Sequence, residues 1–290
     1  MQENNPSAIN TVRHDDLNAV QLVYSIVKAG KESSSVHAHS KLELSLILSG
    51  SGVYHTPKRD YHVGPGDIYF FRSNESHDLT TPESGEVVLL SLYIAPYYLY
   101  TDSYRMPASA CMGLLSSGQG SESHRLNDFA PVDQINMIAS GIRNIWVEMQ
   151  HEESNFDICV KYYISIILIY LSRILWSNQA EDNAARASCR KIGAAIDFIN
   201  QHFRENMTLD VIAEQVGYSR SHFSAEFHKW MGMTTWNYIS IKRIEEALSL
   251  IKTTNLSILE IALSCGFNNT ANFGKTFKKY TNLPPSSFRP

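Results

Sequence analysis

Cysteine is scarce and scattered. Cys111, Cys159, Cys189 and Cys265 are the four in 290 residues, and no two form a CxxC pair. That spacing argues against a zinc ribbon or a disulfide framework and fits a reducing cytoplasm. Long hydrophobic runs are missing too. The most apolar window, Tyr162 to Ser172, is bounded by Lys161 and Arg173. It falls well short of the roughly 20 residues that span a bilayer, so it is read as a buried helix and no membrane partner is expected. The start, MQENNPSAIN, lacks the basic segment and apolar core of a secretory signal. With 43% hydrophobic and 19% charged residues and no biased run, the composition is that of a globular protein long enough for two domains.

Charge of one sign is missing from neither half, but the balance differs. From residue 185 onward there are 13 Lys+Arg against 8 Asp+Glu, whereas the first 184 residues hold 12 against 21. A basic half within an acidic chain hints at a polyanionic partner.

Residues 20 to 95 read as strands. VYSIV, ELSLILS, DIYFF and EVVLLSLYIA are β-branched or aromatic runs separated by turn clusters such as GKESSS, TPKRD and GPGD, which suggests a sandwich or small barrel. Little can be assigned from Ala95 to Ala130. From Pro131 the period changes: Ile135, Ile138, Ile142, Ile145 and Met149 mark one face of a helix. A second helix over 156–177 is apolar nearly all round (Ile158, Tyr162, Ile166, Ile169, Tyr170, Ile174) and needs cover from its own domain or from a second copy. NQAEDNAARAS, residues 178–188, is polar and aperiodic and is read as a linker.

The last hundred residues are helical and contain a repeat. MTLDVIAEQVGYSRSHFSAEFHKWMGMT (207–234) aligns with LSILEIALSCGFNNTANFGKTFKKYTNLP (256–284). Ala213, Gly217 and Tyr218 match Ala262, Gly266 and Phe267; after one extra residue, Phe223, Phe227, Lys229 and Trp230 match Phe273, Phe277, Lys279 and Tyr280. Each copy reads as helix, tight turn, helix. Thr208 and Ser257 are N-caps, the latter in a capping box with Glu260, and the glycines end the first helix in a left-handed conformation. The phenylalanines bury one face of the second helix. The other face projects Arg220, Ser221, Ser224, Ala225 and His228, or Asn268, Asn269, Thr270, Ala271, Asn272 and Lys275. This is the layout of a helix-turn-helix whose second helix enters a major groove. A connecting helix over 236–252, apolar at Ile241, Ile244, Leu248 and Ile251, would be about 25 Å long, enough to set two readers about one turn of double-stranded DNA apart.

The motifs IGAAIDFINQHF, TLDVIAEQVGYS, KRIEEALSLI, SILEIALSCGF and NFGKTFKKYTNLPPSSFR resemble the AraC family of bacterial transcription regulators. The resemblance implies a multidomain α+β protein: an N-terminal cupin-like β-barrel that senses a small molecule, a helical dimerisation segment, and an all-α DNA-binding domain with two helix-turn-helix units. The expected divisions are 1–177 for sensing and dimerisation (barrel about 20–95, helices about 131–177), 178–188 for the linker and 189–290 for DNA binding. Carried over by position, base reading falls on Ser221, Ser224 and Ala225, and on Thr270, Ala271, Asn272 and Lys275. Arg220, His228 and Asn269 are added from the exposed faces. The small side chains of the first unit suit shape and thymine methyls, whereas Asn272 suits adenine and Lys275 suits guanine. Phosphate contacts are expected from Thr208, Lys229, Arg243, Ser257, Lys278 and Lys279.

The front half resembles a cupin at specific positions. HAHSKLE supplies His37, His39 and Glu43, followed by Gly50 at the spacing of the first cupin motif. GPGDIYFFRSNESH resembles the second, with Gly66 opening it and His77 at the ligand position, but Arg72 and Asn74 replace its usual proline and second glycine. His37, His39, Glu43 and His77 are therefore expected to line an effector pocket, with Tyr54 and Tyr93 as stacking candidates. The same four suit iron, manganese or zinc. The primary expectation is nevertheless no cofactor and no catalysis. The chain is read as a cytoplasmic homodimeric regulator that senses a sugar or related metabolite, binds direct-repeat or paired half-sites and meets the transcription machinery. A metal-dependent cupin enzyme with a DNA-binding tail, and a regulator without a ligand, are the alternatives.

Overall fold

The structure, a computed structural model, describes residues 8–13, 19–28, 39–82, 85–100, 114–115, 123–177 and 183–289. The chain divides into two compact units, with the boundary between Ala185 and Arg186.

Among the described residues, the first unit holds eight strands and two long helices. Strands β1 (Ala8–Arg13), β2 (Val20–Lys28), β3 (Leu42–Gly50), β6 (Ile68–Phe71) and β8 (Glu86–Ile94) form an antiparallel sheet in the order β1-β2-β8-β3-β6. Strands β4 (Gly52–His55), β5 (Asp60–Val63) and β7 (Asp78–Thr80) form a second sheet in the order β5-β4-β7. Among the described residues these are two separate sheets sharing one core rather than a closed barrel. Ile47, Tyr69, Phe71, Val87 and Leu89 of the first meet Tyr54, Tyr61, Val63 and Leu79 of the second. The turn-rich sequence hid β1, β4, β5 and β7, each no more than six residues long.

Alternation along β3 explains why the larger sheet is covered on both sides. Glu43, Ser45 and Ile47 lie on one side of the pleat and Leu42, Leu44 and Leu46 on the other, yet all six are buried. Helix α2 (Phe156–Ser177) supplies the cover. Its Ile167, Leu168 and Leu171 share a small apolar niche with Leu42, Leu44, Phe70, Leu92 and Ile94. Helix α1 (Val132–His151) buries Ile135, Ile138, Ile142, Ile145 and Met149, the face expected from the sequence. It approaches α2 so closely at Gly141 that an added Cβ would meet Ile167 at 2.8 Å. On length and composition alone, Phe156–Leu175 is long and apolar enough to cross a membrane, a longer stretch than the window read from the sequence. Here its inner face is spent on the sheet and on α1, so it is a core helix of this unit.

The second unit is two copies of a three-helix module. Helices α3 (Asn183–His202), α4 (Leu209–Gln215) and α5 (Arg220–Met231) make the first; α6 (Thr235–Thr253), α7 (Ile258–Ser264) and α8 (Thr270–Thr281) make the second. The repeat is therefore longer than the hairpin. Buried Ile192 and Ile199 of α3 stand where α6 has Ile241 and Leu248, again 49 residues apart. Residues 183–188, read above as linker, are already helical, while 178–182 lie outside the described residues. Both caps form as expected. Thr208 accepts from Val211 N, and Ser257 with Glu260 closes a capping box. Gly217 and Gly266 sit at φ 64° and 85°, and an added Cβ at Gly266 would lie 2.6 Å from Arg204 O.

Candidate functional site

In the C-terminal unit, packing turns the two reading helices outward. On α5, Phe223, Phe227, Trp230 and Met231 are buried; on α8, Phe273, Phe277 and Thr281 are. Phe223–Phe227 and Phe273–Phe277 each lie with ring centroids 5.5 Å apart. The opposite faces are left to solvent. Arg220, Ser221, Ala225 and His228 are exposed on α5, with Ser224 half-buried; Asn269, Thr270, Ala271, Asn272 and Lys275 are exposed on or beside α8. Ser219 and Asn269 cap these helices, accepting from His222 N and Asn272 N. Asn269 thus spends its side-chain oxygen on the cap. Arg220 faces Asp210 across 3.4 Å on the open surface, a pair too solvated to hold it there.

The expected phosphate contacts separate into two groups. Lys278 and Lys279 are exposed on the last turns of α8, the latter 3.5 Å from Asn237 Oδ1. Lys229 is exposed on α5, 3.7 Å from Glu226. Thr208 and Ser257 use their hydroxyls as caps. Arg243 is committed inward instead. It donates from Nε to Phe203 O at 2.7 Å and from Nη2 to Glu205 O at 2.9 Å, and it stacks over Phe267. It therefore closes the C-terminal end of α3 and ties one module to the other.

The N-terminal unit carries a buried polar cluster between its sheets. His37 lies outside the described residues. His39, Glu43 and His77 converge, with one ligand atom from each lying within 4.8 Å of the others. His39 Nε2 and His77 Nε2 are each 2.9 Å from Glu43 Oε2. The other oxygen, Oε1, accepts from Ser45 Oγ at 2.7 Å, and Ser45 meets Ser91 at 2.8 Å. Ser91 is directly opposite Ser45 in the β3–β8 register, as Tyr93 is opposite Glu43. His39 precedes β3 across a bend, and His77 immediately precedes β7 of the facing sheet. Phe71 stacks on His77 at 3.8 Å, and the Tyr93 ring stands edge-on to His39 at 5.2 Å. Tyr54 is a core residue, 4.7 Å from Tyr69 and 5.2 Å from Phe71.

Burial pushes the Glu43 carboxyl up, but hydrogen bonds from His39 and His77, and their charge, hold it well below the ordinary carboxylate range. Burial lowers His77, and the Glu43 carboxylate more than reverses that, leaving it raised. Tyr54 and Tyr93 are pushed well up by burial and by the nearby Glu43 charge, so both remain neutral hydrogen-bonding groups. Both histidine rings are oriented from behind. Nδ1 of His39 lies 2.9 Å from Lys41 O, and Nδ1 of His77 lies 2.9 Å from Glu75 O. A carbonyl only accepts, so each Nδ1 carries a proton, and each Nε2 faces Glu43, to which it donates when the ring is doubly protonated. The sequence pointed to His39, Glu43 and His77. It missed Ser45, which period two from Glu43 could have flagged, and Ser91, which only the strand register reveals.

Comparison with known proteins agrees with this division. Residues 21–158 match the model of an AraC-like ligand binding domain, and residues 212–290 match a helix-turn-helix domain. The HTH-type transcriptional regulator YdeC of Bacillus subtilis is 21% identical over 263 residues, covering 88% of this chain and 85% of its own. The HTH-type transcriptional regulator SACOL0084 of Staphylococcus aureus is 34% identical over 120 residues, 41% of this chain, but the match spans only 15% of that relative's length. Among solved structures, an AraC-type DNA-binding-domain regulator from Chromobacterium violaceum is 29% identical, covers 36% of this chain and 93% of its own, and has a TM-score of 0.34. Fatty-acid-bound ToxT of Vibrio cholerae is 17% identical over 99% of this chain and 96% of its own, also with a TM-score of 0.34. With its ligand-binding and helix-turn-helix models together spanning most of the sequence, the chain belongs to the AraC family of regulators.

Proposed function

We propose that the chain is a cytoplasmic, sequence-specific DNA-binding transcription regulator whose N-terminal unit senses a small molecule. One observation carries the first half of this reading: two copies of one module each bury a phenylalanine pair and turn the opposite, polar face of a reading helix to solvent. Such a pair suits adjacent major-groove segments in direct-repeat or paired half-sites, upstream of contact with the transcription machinery. Selection of duplexes from random-sequence DNA tests it; enrichment of no motif at moderate salt would remove it. Within a selected duplex, Lys278→Ala should weaken binding to every sequence and flatten its salt dependence, because phosphate contacts release counterions. Lys275→Ala should instead relax preference at one base pair, by about 1–3 kcal/mol. Competition binding against single-base variants of the duplex distinguishes the two.

The cluster of His39, Glu43, His77 and Tyr93 supports a polar effector, a sugar or related metabolite, bound by hydrogen bonds between the sheets. Effector binding would then shift which half-site arrangements are held. A second reading is favoured by the Nδ1 anchors. Two imidazoles locked with Nε2 toward one carboxylate are arranged as metal ligands with their outer hydrogen bonds already made. Both Nε2 atoms lie 2.9 Å from Glu43 Oε2 and all three ligand atoms fall within 4.8 Å of one another, close enough to share one divalent ion. A divalent ion there would serve as the sensed ligand or, in an enzyme, as a Lewis acid. Dialysed protein titrated with zinc or manganese, with melting temperature and bound stoichiometry measured, decides between metal and metabolite. Turnover lost in His39→Ala would favour the enzyme.

The dimer is proposed from α2. Ile158, Tyr162, Ile166 and Ile169 step along one face and remain 39–63% exposed, although the helix is otherwise a core element. A second copy is the expected cover. Tyr162→Glu should convert the dimer to monomer in sedimentation while leaving melting of the N-terminal unit nearly unchanged, since this ring is mostly in solvent.

A further inference from the structure

The first reading helix is fastened to α3 by a polar clasp closed on a carboxylate, which the second module lacks. Ser188, in the second turn of α3, donates its hydroxyl to Glu226 Oε2 on α5. The Trp230 indole Nε1–H points at the same carboxylate oxygen at 3.2 Å and at Ser188 Oγ at 3.0 Å. Glu226 is the single acid on α5, and its side chain is only 18% exposed. Burial raises its carboxyl, but the bonds from Ser188 and Trp230, with Lys229 at 3.7 Å, hold it below the ordinary range.

The repeat supplies an internal control. Ser188 corresponds to Asn237 and Trp230 to Tyr280, whereas Glu226 corresponds to Thr276. In the second module the Tyr280 hydroxyl reaches Asn237 O and Oδ1, both at 3.4 Å. The same two places thus touch in both modules, but only the first is closed by a half-buried anion, which makes the bonds shorter and stronger. The two readers also differ in reach. The expected base-facing residues of α5 include Ser221, Ser224 and Ala225, whereas α8 has the long Lys275. A lysine absorbs a displacement of an ångström by changing rotamer; a serine or alanine loses its contact. The helix whose central base-facing residues, Ser221, Ser224 and Ala225, are all short is the one that carries the clasp. Moreover, α3 begins at Asn183 and the C-terminal unit at Arg186, so Ser188 lies in the first turns of the helix by which the chain enters this unit.

We propose that Ser188, Glu226 and Trp230 are positioning residues that set α5 against α3, so that base reading by the first module, and not the second, depends on how α3 begins. This rests on the reading of the unit as a DNA binder. The experiment uses the full-length protein and a duplex that the wild type selects from random-sequence DNA. Ser188→Ala and Glu226→Ala should each raise Kd on that duplex about fivefold or more, the equivalent of one lost hydrogen bond, and lose protection over one half-site. On a duplex with that half-site scrambled, both variants should bind as the wild type does. Glu226→Gln keeps an oxygen that accepts from both donors and should restore selective protection. The Glu226→Ala loss runs against electrostatics, since removing an acid beside DNA alone would tighten binding. Protection reduced equally at both half-sites, or unchanged in both alanine variants, overturns the clasp while leaving DNA binding intact. Failure of the wild type to select any duplex overturns the underlying reading as well.

Discussion

Phe277→Ala is expected to abolish sequence-specific DNA binding and to lower the stability of the C-terminal unit by about 3–5 kcal/mol. The ring is fully buried, packs on Phe273 and Phe288 with centroids 5.5 Å from each, and belongs to the core formed by α6, α7 and α8. Nothing of similar size stands ready to fill the space, because the neighbours Ile244, Leu248, Ile251 and Ile261 are already held by the same cluster. A twelve-residue helix has little stability of its own, so α8 depends on this packing for its place. Denaturant melting of the full chain measures the loss. The comparison with Lys275→Ala is decisive, since that exposed side chain should leave melting unchanged. Should Phe277→Ala protein retain both its melting transition and its motif, the second hairpin does not read DNA as a packed unit.

Glu43→Ala should be the most damaging single change in the N-terminal unit, destabilising it by about 3–5 kcal/mol. The carboxylate is 3% exposed and serves His39, His77 and Ser45 at once; removing it leaves buried polar groups facing a void. The pH dependence follows from the two shifts. Glu43 is depressed in the folded state, so its contribution is complete above its ordinary value of 4.5 and disappears as pH falls through the lower folded value. His77 is raised, so its contribution is complete below 6.5 and disappears as pH rises through the higher folded value. The stability difference between wild type and Glu43→Ala should therefore be largest between about pH 4.5 and 6.5 and shrink on either side. Melting temperatures from pH 3 to 9 provide the measurement. A difference that is flat with pH would show that the carboxylate and the imidazoles do not interact as a charged group.

Much of this architecture was readable from the chain. The step of 3 and 4 from Ile135 to Met149, the limits of the 156–177 helix and both N-caps follow from local rules, and they coincide with α1, α2, α4 and α7. Short strands did not announce themselves, because four residues of GVYH or DYHV carry too little alternation to stand out from turns. Arg243 shows the limit for single residues. A basic side chain in a basic domain looks like a phosphate contact, and only the folded chain shows carbonyls of Phe203 and Glu205 ending within its reach.

By itself the sequence determined the two-part layout and the duplicated helix-turn-helix, and its resemblance to cupin motifs named His37, His39, Glu43 and His77, because periodicity, capping and motif spacing are properties of neighbours along the chain. Tertiary structure alone decided that the strands pair as two sheets, that Ser45 and Ser91 extend the carboxylate network across β3 and β8, and that Ser188 grips Glu226 from 38 residues away. Those contacts depend on register and on helix crossing, which no local pattern encodes.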